Sequence, residues 1–201
     1  MKSEGEDYRR SVFLNVPFDQ GYEPLFVALI SSLVALGRVP RSVLEVPEQG
    51  DGRLVRILHL IRSCPVSIHD LSRVGLPVRF NMPFELGIAV ALSRVEGRHK
   101  FIMLEAKRHR LQRTLSDANG IDPGIHGATV RGIMSCVLSH LGKPRGNPDP
   151  GIVARIHRQL WKTTPFFKRT HGRANLYSRS IFGELVAGAN GLAIKEGLIV
   201  A

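Results

Sequence analysis

The chain has 201 residues, with 28 Lys and Arg against 17 Asp and Glu and a hydrophobic content of 43%. These values fit one globular domain with an appendage, long enough to bury a core and of ordinary composition for a soluble protein. No apolar run is long enough to span a bilayer. The polar, acidic start Met1-Lys2-Ser3-Glu4-Gly5-Glu6-Asp7 does not have the form of a signal peptide, so a cytoplasmic location is expected. Cys64 and Cys136 show neither disulfide-framework nor zinc-site spacing and read as core thiols.

In chain order, Ser11 to Val16 is rich in strand formers and is broken by Pro17-Phe18-Asp19-Gln20-Gly21. Leu25, Phe26, Leu29, Ile30, Leu33 and Val34 then recur at helical spacing until Gly37. Val39 to Val46 reads as a second strand, with Pro40 marking its entry or an edge. Gly50-Asp51-Gly52-Arg53 opens a helix carrying Leu54, Ile57, Leu58 and Ile61. Val66-Ser67-Ile68 has the pattern of a buried strand whose polar tip, His69-Asp70, opens into Leu71-Ser72.

The stretch Arg79-Phe80-Asn81-Met82-Pro83-Phe84-Glu85-Leu86-Gly87 turns a loop into a helix, with Pro83 suited to the first helical position. Lys100 to Glu105 is a fourth strand, Ala106 to Asp122 is ambiguous, and Thr129 to Leu141 is a helix closed by Gly142. Alternating strands and helices predict an α/β domain of the doubly wound, flavodoxin-like type, with a parallel sheet and helices on both faces.

Lys143 to Gly151 has the composition of a boundary, so residues 1–142 form the α/β domain and 143–201 a basic helical C-terminal extension. Helices are expected over Ile152 to Lys162 and Leu176 to Glu196, with too few apolar residues for a core of their own. They should pack on the main domain or on another copy. The extension carries 10 basic against 3 acidic residues, a net +7, compared with +4 before it. Without an aromatic platform or a reader motif, a solvated face is preferred to nucleic-acid binding.

Known motifs are mostly lacking. Val55 occupies the third glycine position of a dinucleotide fingerprint at Gly50-Asp51-Gly52, and no phosphate loop or nucleophile elbow is present. None of the eight histidines pairs with a second ligand at metal spacing, so no metal is expected. What stands out is convergence. In an open α/β sheet, ligands bind outside the carboxyl ends of the strands, which would bring Asp70, Ser72, Asn81 and Glu85 to one crevice. Each also has a structural reading: Glu85 as a partner of the helix dipole, Asn81 as a cap and Asp70 as a turn former.

From about Val12 to Gly142 the chain resembles prokaryotic TIR-like domains and, more distantly, nucleoside 2-deoxyribosyltransferases. Val12-Phe13-Leu14-Asn15-Val16-Pro17-Phe18-Asp19 looks like their first strand and loop, and Gly37-Arg38-Val39-Pro40-Arg41 like the entry to their second strand. Ile68-His69-Asp70-Leu71-Ser72 is similar to their third strand, and Asn81-Met82-Pro83-Phe84-Glu85-Leu86-Gly87 to the Asn-x-x-x-Glu-x-Gly segment holding their catalytic glutamate. Met82-Pro83-Phe84 stands where eukaryotic TIR domains carry a Trp-Cys pair, which matches the bacterial branch.

The resemblance implies cleavage of the nicotinamide–ribose bond of NAD, by hydrolysis or cyclisation, as in bacterial antiphage defence. Glu85 would be the catalytic carboxylate. Asp70, Ser72 and Asn81 would hold ribose or base, Phe18 and Phe84 would stack on a ring with Asp19 beside them, and Arg41 would face the diphosphate with the Gly50-Asp51-Gly52-Arg53 helix start. NAD is then a substrate, no cofactor is needed, and a homo-oligomer is implied. The rival readings are a non-catalytic TIR-like module that senses nucleotides or binds a protein through its basic tail, and a deoxyribosyl transferase.

Overall fold

Ser11–Asn15 is buried along its whole length and pairs in parallel on both sides, with Val39–Arg41 and with Val66–Asp70. That central position explains its unbroken apolar run. In the computed structural model, which describes residues 4–46, 52–73, 80–115, 120–142 and 146–200, the elements are α1 (Glu4–Arg10), β1 (Ser11–Asn15), α2 (Glu23–Ala35), β2 (Val39–Arg41), α3 (Arg53–Arg62), β3 (Val66–Asp70), α4 (Asn81–Glu96), β4 (Lys100–Glu105), α5 (Arg110–Thr114), β5 (Gly124–Ile125), α6 (Val130–Leu141), α7 (Pro150–Thr170) and α8 (Arg179–Lys195). The sheet is parallel throughout in the order β2-β1-β3-β4-β5. This is the doubly wound α/β fold, with its strand order reversing between β1 and β3.

The pleat assigns side chains to layers. Val12, Leu14, Val66 and Ile68 face α2 and α6, whereas Phe13 packs with Ile57, Leu60 and Ile61 of α3 and Ala89 of α4. Every residue of α2 except Pro24 is buried, as expected of a helix apolar on all sides. Its second face is covered by α7 and α8: Val153, Ile156, Leu160, Ile181, Phe182 and Leu185 belong to the same core cluster as Val12 and Phe26. The basic extension is therefore an outer layer on α2, sharing its core.

Four details differ from the expectations. The second strand stops at Arg41, because the Ser42 side chain accepts from the Leu44 N–H and the Glu45 carboxylate accepts from the Ser42 N–H at 2.6 Å, curling Val43–Glu45 into a 3-10 turn. The seventh helix runs through Pro165, where the Thr164 hydroxyl donates to the Trp161 carbonyl that proline cannot serve. A fifth strand, Gly124–Ile125, lies in a stretch too short to show periodicity. The central helix starts at Asn81, upstream of Pro83.

The seam between α2 and the C-terminal pair is fixed by the buried Glu23 carboxylate, which receives Lys168 Nζ at 2.7 Å and the Leu176 N–H at 3.0 Å. Removing it leaves both donors without their acceptor. Glu23→Ala is expected to lower the unfolding free energy by about 3 kcal/mol in urea titration; a loss below about 0.5 kcal/mol would show that the seam is held elsewhere.

Candidate functional site

At the reversal of strand order, the C-terminal end of β1 meets the start of α4. Leu14, Asn15, Val16, Asn81, Met82 and Glu85, with Phe18 and Val43, wall a small cavity of about 60 Å³ that opens to solvent. Glu85 is only 6% exposed. Because α4 begins at Asn81, Glu85 is its fifth residue and lies past the first turn, where attraction to the helix dipole has weakened. Asn81 lies within the helix, not at its cap; the cap position is Phe80, which makes no side-chain cap hydrogen bond.

Asn15, which sequence reasoning did not single out as a site residue, fixes the floor of this cavity. Its Nδ2 lies 3.0 Å from the Met82 carbonyl oxygen and 2.9 Å from His69 Nδ1. A carbonyl only accepts, so both contacts are donations and His69 Nδ1 must be unprotonated. His69 Nε2–H then donates to Ser67 Oγ at 2.8 Å, the Ser67 hydroxyl donates to His99 Nε2 at 2.8 Å, and His99 Nδ1–H donates to the Cys64 carbonyl at 2.9 Å. One directed chain of neutral groups thus runs from the cavity down β3 to the N-terminal end of that strand. The signal for it was the alternation Ser67, His69 on one face of a strand that otherwise reads as apolar.

Asp70, the next residue, projects to the other face. It accepts from the Tyr22 hydroxyl and, at 2.8 Å, from the Ser72 N–H, and His126 Nε2 lies 3.2 Å away. Burial would raise the Asp70 carboxyl, but His126, Ser72 and Tyr22 together outweigh it and hold it below the usual range. Asp70 and Ser72 do not line the Glu85 cavity; the pleat of β3 separates them from Asn81 and Glu85, and the Ser72 carbonyl instead accepts from Arg110 at 2.7 Å. The expected four-residue crevice is thus two polar clusters, one on each face.

The remaining expected residues divide likewise. Phe18 lines the cavity and stacks on Tyr177 of the segment before α8, with ring centroids 4.9 Å apart. Asp19 caps the 3-10 turn Gln20–Tyr22 and is bridged to Arg73. Arg41 is paired with Glu45 at 2.9 Å and borders neighbouring grooves, while Phe84 is 58% exposed on α4. Arg79, Gly50 and Asp51 lie outside the described residues. Among the described residues no group of three or more His, Cys, Asp or Glu is placed to hold a metal, and no helix is long and apolar enough to cross a membrane.

Burial pushes the His69 pKa down to about 3, and it also lowers those of His99 and His157. The unfolded chain therefore takes up protons below pH about 6.5 that the folded chain refuses, and stability falls as pH drops through that window. Asp70, with its depressed value, adds its own loss only at lower pH, as it protonates. His69→Gln is expected to reduce the slope of unfolding free energy between pH 6 and 4 by about 1.4 kcal/mol per pH unit; an unchanged slope in urea titrations would contradict a neutral, buried His69. Comparison with protein-family models, curated proteins and solved structures finds no match for this chain, so the reading of the cavity rests on its own residues.

Proposed function

We propose that the chain is an enzyme acting on the nicotinamide–ribose bond of NAD, with Glu85 as its catalytic carboxylate. The observation that carries this reading is an acidic side chain held almost entirely out of water beside a cavity at the strand-order reversal, the place where α/β sheets bind nucleotides. Resemblance of the Asn81-to-Gly87 segment to the glutamate segment of TIR-like domains supports it.

The chemistry follows from charge. As the bond between C1′ and the pyridinium nitrogen breaks, its electron pair leaves with nicotinamide and positive charge develops on the ribose. A carboxylate in a poorly hydrated cavity stabilises that charge better than water does. Water then adds its oxygen to C1′ and releases a proton, giving ADP-ribose; attack by a nitrogen of the adenine would give a cyclic product. Both amide hydrogens of Asn15 are engaged, which leaves its carbonyl oxygen to accept from a ribose hydroxyl. Asn81, at the mouth, is placed to do the same.

The small volume of the cavity, about 60 Å³, favours a second reading, deoxyribosyl transfer between nucleosides, in which one sugar occupies the cavity and Glu85 attacks C1′. Incubation with NAD and, separately, with deoxynucleosides distinguishes the two by the base released. Under either, Glu85→Gln is expected to reduce turnover by at least about 100-fold with an unchanged thermal midpoint. Release of nicotinamide at the wild-type rate by that variant would remove Glu85 from the mechanism, and no release of any base by the wild type would leave a nucleotide-binding module.

A further inference from the structure

The two faces of α7 have opposite chemistry. Val153, Ile156, Leu160 and Thr164 form its buried stripe against α2 and α8. On the other side, at about 100° per residue, Arg158, Lys162 and Arg169 fall within about 40° of one another, with Phe166 beside them. All four are exposed, Phe166 at 58%.

This surface is not balanced by nearby acids. Between Asp149 and Glu184 the sequence contains no Asp or Glu, but it contains Arg155, Arg158, Lys162, Lys168, Arg169, Arg173 and Arg179. Glu196 takes Arg155 and Glu23 takes Lys168. Arg158, Lys162, Arg169 and Arg173 make no ion pair among the described residues and are exposed. Pro165 does not break the row, because the Thr164 hydroxyl keeps the helix continuous through it.

We propose that this face of α7 binds the backbone of a single-stranded nucleic acid. Arg158 to Arg169 spans about 16 Å of a straight helix, a row of cations long enough to follow several successive phosphates. Arginine suits them because its planar fork donates to two phosphate oxygens at once. Phe166 adds the aromatic platform that was not evident from composition. Its ring is braced edge-on by Phe167, with centroids 6.1 Å apart, and an exposed ring can stack only on a base that is not already paired. An anionic bilayer fits less well. A helix lying in a membrane needs a broad apolar face turned toward the lipid, and the apolar face of α7 is already committed to the core, leaving Phe166 alone outside.

The inference is independent of Glu85, and so is its test. Binding of a fluorescently labelled 20-nucleotide oligothymidine to the full chain is followed by anisotropy at rising salt. Four neutralised phosphates predict a log–log salt slope near −3, or about 60-fold weaker binding at 200 mM than at 50 mM. The combined Arg158→Ala, Lys162→Ala and Arg169→Ala variant should bind at least about 10-fold more weakly with a slope near −1, its thermal midpoint unchanged. Phe166→Ala should weaken the single strand several-fold and leave a duplex of equal length unaffected. The proposal is overturned by no binding at 50 mM salt, by a triple variant that binds like the wild type, by equal effects of Phe166→Ala on single strand and duplex, or by binding to phosphatidylserine vesicles in place of the oligonucleotide.

Discussion

Parallel pairing of β1 with β3 is the constraint from which the rest of the arrangement follows. Leu14 lies opposite Ile68 and Asn15 opposite His69, so the pleat sends Asn15 and His69 toward α4 while Asp70 turns to α2 and α6. A register slip of one residue would exchange these sets and bury Phe13 on the wrong side. The two hydrogens of the Asn15 amide then tie β1 to β3 through His69 and to α4 through the Met82 carbonyl. Glu85 follows Met82 by three residues, and its position is inherited from that tie.

On the opposite face the organising element is α2. It is covered by the sheet on one side and by α6, α7 and α8 on the others, which is why small and polar residues such as Ala28, Ser31 and Ser32 are as fully buried as Phe26. Ser32 meets its hydrogen-bonding need by donating to the Ala28 carbonyl at 2.7 Å within the helix. Glu23 brings a charge into this layer at the start of α2, where Lys168 and a backbone amide satisfy it. The C-terminal helices thus complete the core of the first 142 residues, which decides between the two packings their few apolar residues allowed, on the main domain or on another copy.

The legible parts of the fold were those with a long apolar signal: the strands around Val12–Leu14 and Val66–Ile68, the helices around Leu25–Val34 and Ile133–Leu141, and their parallel order. Local chemistry hid the rest. Ser42 and Glu45 end a strand that hydrophobicity would continue, Thr164 carries a helix past a proline, and Gly124–Ile125 is too brief to have a period. In the candidate site, Glu85 and Asn81 were readable because they lie near the start of a helix that begins at the C-terminal ends of the strands. Asp70 was placed correctly at those ends but on the other face, since adjacency in a strand means opposition in space. Asn15 was hidden because a lone Asn inside an apolar strand reveals its role only when His69 and Met82 are brought to it.

Phe18 has one flank on the cavity and its ring against Tyr177, whose hydroxyl donates to the Asp19 carbonyl at 2.7 Å. The aperture above Glu85 is therefore gauged from behind by a residue that never borders it. A substitution at position 177 would shift one wall of the cavity through Phe18, from a part of the chain that does not line it.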